Sequence, residues 1–317
     1  MIDKIEIRQF DKSDKDRWDL FVESSNEKNF LYTRAFLDYH GERFNDNSLV
    51  IMDKNGVLIG ILPAAIVEKK FISHPGLPYA GLLVHEKISQ TSWLTMIDAV
   101  NNFVTKTTKC EAFIYKLKPK IFRNSMFEEE SIACSKQLLL DRSTGINSYI
   151  DYKLGYKFSK GRRHSVKKGK NADLKYQNIK LTSEFWALQS HVLETNHGVQ
   201  PTHSLEDMLL IEERFPENID ISIVTKNDQT VAGCVLFLFD NVAHTQYMFN
   251  TEIGRNISAL DYLMSCNIEI YSGQKSFFSF GVSTINNGED INYGLMRQKE
   301  AFGAGSGLNE IFTWKIE

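Results

Sequence analysis

The chain has 317 residues, of which 42% are apolar and 24% are charged. This length fits two domains of about 150 residues each, and the composition excludes both a disordered chain and a disulfide-stapled miniprotein. The net charge is −3, which by itself favours neither a nucleic acid nor a membrane partner.

The cysteines and apolar segments predict a cytoplasmic protein without disulfides. Cys110, Cys134, Cys234 and Cys266 lie far apart and show no C-x-x-C spacing, so they indicate neither a disulfide framework nor a zinc site. The uncharged stretch from Asn55 to Val67 is shorter than the about 20 residues that a membrane helix needs. The first residues lack the apolar core of a secretory signal.

The N-terminal half predicts short strands and helices in alternation. Residues 5–10 alternate like a strand, and Thr33 is a suitable N-cap for a helix through Phe36. Two apolar runs, 48–52 and 57–67, flank Asn55-Gly56, which favours a hairpin turn. Further elements are expected as a helix around Trp18, a loop at 74–81, a helix through Trp93 and Phe103, and strands at Ala112–Lys116 and Gln137–Leu140.

The second half repeats this plan, and aligning Gly60 with Gly233 superposes two hairpins, which favours an internal duplication. The expected elements are helices at Trp186–Leu193 and Leu205–Phe215, three antiparallel strands at Ile221–Val224, Val231–Phe239 and Val242–Asn250, a helix through Leu260 and Ile270, a strand at Phe277–Phe280, a helix at Ile291–Phe302 and a strand at Ile311–Ile316. The fold class is therefore α+β, with two mixed sheets covered by helices. We expect domains at 1–145 and 181–317, joined by a basic helical linker at 146–180.

The linker is the strongest anomaly in the composition. Residues 151–180 contain ten Lys or Arg and two Asp, a local charge of +8, so the rest of the −3 chain carries −11. Three interpretations stay open: a solvated helix, a phosphate contact through Arg162, Arg163 and Lys167, or an RNA-binding patch. The acidic remainder and the few aromatic residues argue against RNA.

The strand at residues 242–250 carries the most informative polar residues. A period of two places His244, Gln246, Met248 and Asn250 on one face. A histidine with an ordinary pKa of about 6.5 suits proton removal near neutral pH. The alternative is that these polar groups only satisfy neighbouring loops.

Two further segments suggest a ligand. Gly254 permits a tight turn, and Ser258 with Asp261 is a pair typical of a capping box, so a helix N-terminus there could bind a pyrophosphate. Residues 278–284 end a strand in Gly, Ser and Thr, which suits ligand contact. Lys299 on the following helix would by default lie on a solvated face, and helix starts of this kind also occur without a ligand.

Three strings together resemble the second half of the FemAB-like branch of the GNAT acyltransferase superfamily: H-T-Q-Y…G…L-D at 244–261, F-S-F-G-V-S at 278–283 and G-L-x-x-Q-K-E-x-F-G at 294–303. Asn29-Phe30-Leu31, Gly60 and the loop at 76–81 resemble the N-terminal copy of that family. The resemblance implies tandem GNAT-like domains that transfer an acyl group to an amine, with the donor held by the second copy.

The resemblance is closest to sugar-nucleotide N-acyltransferases of surface-polysaccharide pathways such as that of the lipopolysaccharide O-antigen. It implies acyl-coenzyme A as donor and an amino sugar on dTDP or UDP as acceptor, without a metal, a membrane or a nucleic acid as partner. The family turn Q/R-x-x-G-x-G/A keeps Arg255 here, but Ser258 and Leu260 replace its small glycine-type positions. The alternative is a FemX-type transferase that uses aminoacyl-tRNA and acts on a peptidoglycan precursor.

This resemblance and the motifs together give a set of expected site residues. The general base is expected to be His244, with His203 as second choice, and Tyr293 is the expected acid for the departing thiolate. The donor is expected to contact Met248, Phe249, Asn250, Arg255, Ser258 and Ser283. The acceptor is expected to contact Tyr79, Gln246, Arg162, Arg163, Lys167 and Lys299.

Overall fold

The computed structural model describes residues 5–84, 88–125, 127–137, 140–285 and 288–316. The helices are α1 (Lys15–Ser24), α2 (Arg34–Leu37), α3 (Gln90–Thr107), α4 (Glu129–Ser135), α5 (Lys160–Lys170), α6 (Ser183–His197), α7 (Leu205–Arg214), α8 (Glu252–Ile257), α9 (Ala259–Tyr271) and α10 (Tyr293–Glu300). The strands are β1 (Ile5–Gln9), β2 (Asn45–Asp46), β3 (Leu49–Asp53), β4 (Leu58–Leu62), β5 (Ala65–Val67), β6 (Lys70–Ile72), β7 (Leu83–Val84), β8 (Ala112–Lys116), β9 (Leu140–Asp151), β10 (Lys175–Ile179), β11 (Ile219–Lys226), β12 (Gln229–Leu238), β13 (Val242–Asn250), β14 (Phe277–Val282), β15 (Thr284–Ile285), β16 (Asp290–Ile291) and β17 (Gly305–Lys315).

The chain divides into two compact units. Unit 1 comprises residues 1–145, 287–289 and 308–317, and unit 2 comprises residues 146–286 and 290–307. In unit 1, β1, β3, β4 and β7 form an antiparallel sheet in that order. A second set, β17, β8, β6, β5 and β2, is antiparallel except where β6 runs parallel to β8. The core of unit 1 lies between α3 and these strands and contains Ile51, Phe71, Met96, Phe113 and Trp314.

Unit 2 is built on the strand order β10, β11, β12, β13, β14 and β9. Every neighbouring pair is antiparallel except β13 and β14, which run parallel. The apolar positions of α9, such as Leu263 and Ile268, pack on one face of this sheet. On the other face α6 contacts β13, where the rings of Phe185 and Phe249 meet at 5.2 Å.

The fold confirms the predicted α+β class with mainly antiparallel sheets, and the local signals explain why. Thr33 caps α2 by accepting from the N–H of Phe36, and the Asn55-Gly56 turn joins β3 to β4. The basic segment is only partly helical, because after α5 the alternating residues of β10 pair with β11. The helix predicted from Ile291 starts at Tyr293 instead, and the strand predicted at Gln137–Leu140 falls partly outside the described residues.

Candidate active site

The sheet of unit 2 opens between β13 and β14. The two strands pair only from Val242 to His244 among the described residues. Beyond that point β14 stays paired with β9, with a shift of register between Ser279 and Val282, while β13 continues to Asn250 beside β12 alone. The main-chain N–H and C=O groups on the β14 side of β13 therefore face a gap, which a ligand with its own hydrogen-bonding groups could enter.

A β-bulge interrupts β13 next to this gap. Across the β12–β13 pair, Leu236 lies opposite Thr245 and Val235 lies opposite Tyr247, so Gln246 has no opposite residue. An extra residue of this kind locally twists a strand and redirects the side chains that follow it.

The bulge changes which residues share a face, because residues directly opposite across an antiparallel pair point to the same side. His244 shares its face with Tyr247 and Phe249, whereas Met248 and Asn250 point to the other face. The strict alternation predicted from the sequence is therefore wrong from Gln246 onward. The packing of α6 against Tyr247 and Phe249 agrees with this assignment.

His244 lies at the point where the two strands separate. Its Nδ1 is 3.0 Å from the hydroxyl oxygen of Ser279, which is fully buried and also accepts from the N–H of Gly281 at 3.2 Å. Burial and the charge of Lys299 lower the pKa of His244 to about 4. The imidazole is therefore neutral near pH 7 and able to accept a proton, although as a weaker base than an ordinary histidine.

Lys299 is buried beneath the same point and does not lie on the solvated face expected by default. Its ammonium donates to the carbonyl oxygens of Gly281 at 3.0 Å and Val282 at 2.5 Å. Burial lowers the pKa of Lys299 to about 8. Gly281 has a φ of 71°, a left-handed conformation that favours glycine. The ammonium therefore fixes the backbone at the irregular end of β14.

His203 is held next to β13 on the same face as His244. Its Nδ1 is 2.5 Å from the hydroxyl oxygen of Tyr247, and its backbone N–H donates to that hydroxyl at 3.3 Å. The ring of Trp186 packs edge-on against Tyr247 at 5.2 Å. The structure thus brings both predicted bases to one face and adds Tyr247, which the expected alternation had placed on the opposite face.

The turn after β13 differs from its prediction. The helix starts at Glu252, where Thr251 caps it by accepting from the N–H of Gly254. A Cβ at Gly254 would lie 2.3 Å from the carbonyl oxygen of Val231, so only glycine fits. Ser258 adopts a left-handed conformation between α8 and α9, and its side chain caps neither. The capping box predicted for Ser258 and Asp261 is therefore wrong.

Asp261 instead forms an ion pair with Arg162 of α5. The guanidinium of Arg162 also lies over the ring of Phe302 at 3.9 Å and donates to the carbonyl of Gln298. Arg162 thus fastens α5 to its neighbours, whereas Arg163 and Lys167 lie on the exposed side of the helix. The nearby Arg255 is exposed and donates to the carbonyl oxygen of Asn250.

The remaining predicted residues have different surroundings. Ser283 is buried, with its hydroxyl 2.9 Å from that of Ser148. Tyr293 is 58% exposed at the first position of α10. Tyr79 belongs to unit 1 and is fully buried, where its hydroxyl accepts from the amide of Asn29 at 2.8 Å. Contact of Tyr79 with a ligand would require this loop to rearrange.

In the part of the chain that the structure describes, no group of three or more His, Cys, Asp or Glu could hold a metal ion. Over the same residues, no helix has the length and apolar character that crossing a membrane requires.

Comparison with known proteins identifies the fold. No protein-family model matches the chain, and no curated protein matches it in sequence. The solved structure of FemX aligns with a TM-score of 0.66 at 11% identity, over 98% of this chain and 97% of that one. L-PGS from Bacillus licheniformis aligns with a TM-score of 0.62 at 12% identity, covering 96% and 93% of the two chains.

A tandem GNAT protein from the clavulanic acid biosynthesis pathway aligns over 99% of both chains, with a TM-score of 0.53 at 11% identity. These identities are low, so the likeness concerns the fold. It confirms the predicted arrangement of tandem GNAT-like domains, each with a mixed, mainly antiparallel sheet.

Proposed function

We propose that this chain is a GNAT-type N-acyltransferase that moves an acyl group from acyl-coenzyme A to the amine of a nucleotide-linked amino sugar. The observation that carries the proposal is the gap between β13 and β14 beyond His244. The pantetheine arm of the donor is an extended chain with amide groups, and it would pair with the open edge of β13 as an added strand does.

The acyl carbonyl would lie beside the bulge at Gln246, where backbone N–H groups of Met248, Phe249 and Asn250 are candidates to stabilise the oxyanion. The neutral amine attacks the thioester carbonyl, and the nitrogen of the adduct becomes acidic. His244 then accepts this proton, which a weak base can do, and the C–S bond breaks. The thiolate leaves and takes a proton, for which Tyr293 is the candidate acid.

The phosphates of the substrates would find positive charge near the start of α9. Arg255 is exposed at the end of α8, and α5 contacts α9 while exposing Arg163 and Lys167. Because Arg162 is already paired with Asp261, we propose it as a positioning residue for α5. Lys299 is likewise proposed to act through β14.

A second candidate is a transferase that uses aminoacyl-tRNA, by analogy with FemX. The exposed cations of α5, with no acidic residue between Tyr152 and Ala172, favour it. A phosphate backbone bound there would make affinity fall steeply with salt.

The experiment compares donors and acceptors with the purified chain. Thiol release from acetyl-coenzyme A is measured with a dTDP-amino-deoxyhexose and with dTDP-glucose, which lacks the amine. We expect release only with the amine, and a loss of about a hundredfold in kcat for His244→Gln, the low end for a general base because His244 is a weak one. His191→Gln, an exposed histidine of α6, is the matched control. Transfer from aminoacyl-tRNA alone would support the second candidate and refute the first.

A further inference from the structure

Unit 1 contains a cavity of about 580 Å³ that none of the roles above uses. This volume lies within the range of small-molecule sites, about 300–1,000 Å³. Its walls include the buried side chains of Arg34, His40 and His74, while Lys12, Lys15 and Asp38 are exposed at its rim. The cavity therefore combines buried polar side chains in its walls with charged groups at its mouth.

Arg34 organises the wall of the cavity. It is 4% exposed, and its Nη2 donates to Asp38 at 2.7 Å and to Asp46 at 2.5 Å. Its guanidinium lies 4.0 Å from the centre of the Phe10 ring. Its Nε and Nη1 have no hydrogen-bond partner among the described residues. The guanidinium of Arg34 therefore fixes the positions of both carboxylates, but its single positive charge balances only one of their two negative charges.

His74 adds a neutral polar wall. It is 5% exposed, and its Nδ1 has no hydrogen-bond partner among the described residues. Its ring lies 4.7 Å from that of His40 and 5.5 Å from that of Phe44. Burial and the neighbouring His40 lower the pKa of His74 to about 3, so it carries no charge near neutral pH. Native proteins rarely leave buried polar atoms unpaired.

The charges around the cavity balance. Three carboxylates, Asp11, Asp38 and Asp46, face three cations, Lys12, Lys15 and Arg34. Hydrogen bonds from Ser13 hold the pKa of Asp11 below its ordinary value. Burial opposes ionisation of Asp46, but the charge of Arg34 and hydrogen bonds from Ser48 lower its pKa. A ligand carrying only negative charge would meet three carboxylates, and one carrying only positive charge would meet three cations.

We propose that this cavity binds a small amphoteric molecule that carries both an ammonium group and a phosphate or carboxylate. The ammonium pairs with Asp38 and Asp11 at the rim, and the anionic group pairs with Lys12 and Lys15. The body of the ligand packs against the rings of Phe10, Phe44 and the two histidines. Amino sugar phosphates and amino acids share this chemistry.

Calorimetric titration of the full chain tests the proposal with matched probes. Glucosamine 6-phosphate carries both charges, glucosamine only the ammonium and glucose 6-phosphate only the phosphate. L-phenylalanine represents the amino acids, and UDP represents a purely anionic ligand. We expect glucosamine 6-phosphate or L-phenylalanine to bind at least about tenfold more tightly than glucosamine, glucose 6-phosphate and UDP, which each carry charge of only one sign.

Rim variants show whether binding occurs in this cavity. Lys15→Gln and Asp38→Asn should each weaken binding of the doubly charged probe about fivefold, since a half-exposed ion pair contributes little more. Lys28→Gln, an exposed lysine outside the cavity, should leave it unchanged. Should Asp38→Asn fail to fold, Lys15→Gln alone decides. The proposal would be overturned if the probes with one sign of charge bound as tightly as the doubly charged probes, or if UDP bound more tightly. It would also be overturned if neither doubly charged probe bound at about 10 mM, or if Lys15→Gln left their affinity unchanged. The result is independent of any acyl transfer.

Discussion

Replacement of Lys299 by methionine tests whether a buried ammonium shapes the gap beside His244. Met keeps the length of the side chain but removes the charge and the donors to the carbonyl oxygens of Gly281 and Val282. Each buried carbonyl that loses its partner costs about 1–3 kcal/mol. Relief from burying a charge offsets part of this cost, so we expect a net destabilisation of about 2 kcal/mol.

The same change should raise the pKa of His244. Burial is the larger reason that this pKa is near 4, and the charge of Lys299 is the second. Without that charge the pKa should rise but stay below the ordinary 6.5, because the burial remains. The pKa is measured from the pH dependence of the imidazole Cε1–H resonance, and donor KM should rise about tenfold as β14 loses its support.

Lys275→Met is the matched control. The ammonium of Lys275 also donates to two carbonyl oxygens, those of Phe239 at 2.6 Å and Asp240 at 3.4 Å, but these lie in the turn that precedes β13 and not on β14. It should leave the pKa of His244 and the donor KM unchanged. An unchanged His244 pKa in Lys299→Met, or equal shifts in both variants, would refute the assigned role of Lys299.

Three further changes have expected outcomes. Gly281 and Gly56 have φ values of 71° and 75°, so Gly281→Ala and Gly56→Ala should each lower the free energy of unfolding in urea melts by about 1 kcal/mol. Only Gly281→Ala should slow acyl transfer, because its Cβ would lie 3.3 Å from Cε1 of His244. Asp261→Asn should lower the free energy of unfolding by about 3 kcal/mol, because it leaves Arg162 without its ion-pair partner. Adding Arg162→Met should restore most of this stability. Equal stability of the single and the double variant would contradict the pairing. The lowered pKa values of His74 and His244 mean that folding favours their neutral forms. The free energy of unfolding should therefore be highest above pH 6.5 and fall towards pH 4, and the fall should be less steep in His74→Asn. A free energy of unfolding that does not change with pH over this range would contradict the assignment.

Local signals in the sequence were enough to predict most of the fold. A turn such as Asn55-Gly56 and a cap such as Thr33 act within a few residues, so their effect depends little on the rest of the chain. Apolar periodicity likewise predicted α3 and the three strands β11 to β13, because these elements bury the faces that the pattern marks.

The geometry of the candidate site depended on contacts that the sequence does not display. The bulge at Gln246 requires β12 to pair with one residue fewer than β13 offers, and no residue type in β13 marks it. Ser258 does not cap α9 because its backbone is left-handed, whereas an N-cap residue is normally extended. The side chain of Asp261 pairs with Arg162, about 100 positions earlier in the chain. The backbone conformation of Ser258 and the long-range partner of Asp261 therefore overrode the local motif.

The burial of Lys299 was likewise not predictable from the sequence. Lysine is rarely buried without a partner, yet Lys299 is buried against two backbone carbonyls, and no pattern marks carbonyls as the partner. Unit 1 contains a second example, since Lys116 donates to the carbonyls of Pro75 and Leu77 and burial lowers its pKa to about 8. Lys116 thereby fixes the loop that carries His74 into the cavity of unit 1. A buried ammonium bound to two carbonyls thus supports the candidate site in each unit, so its loss should disturb ligand binding as well as overall stability.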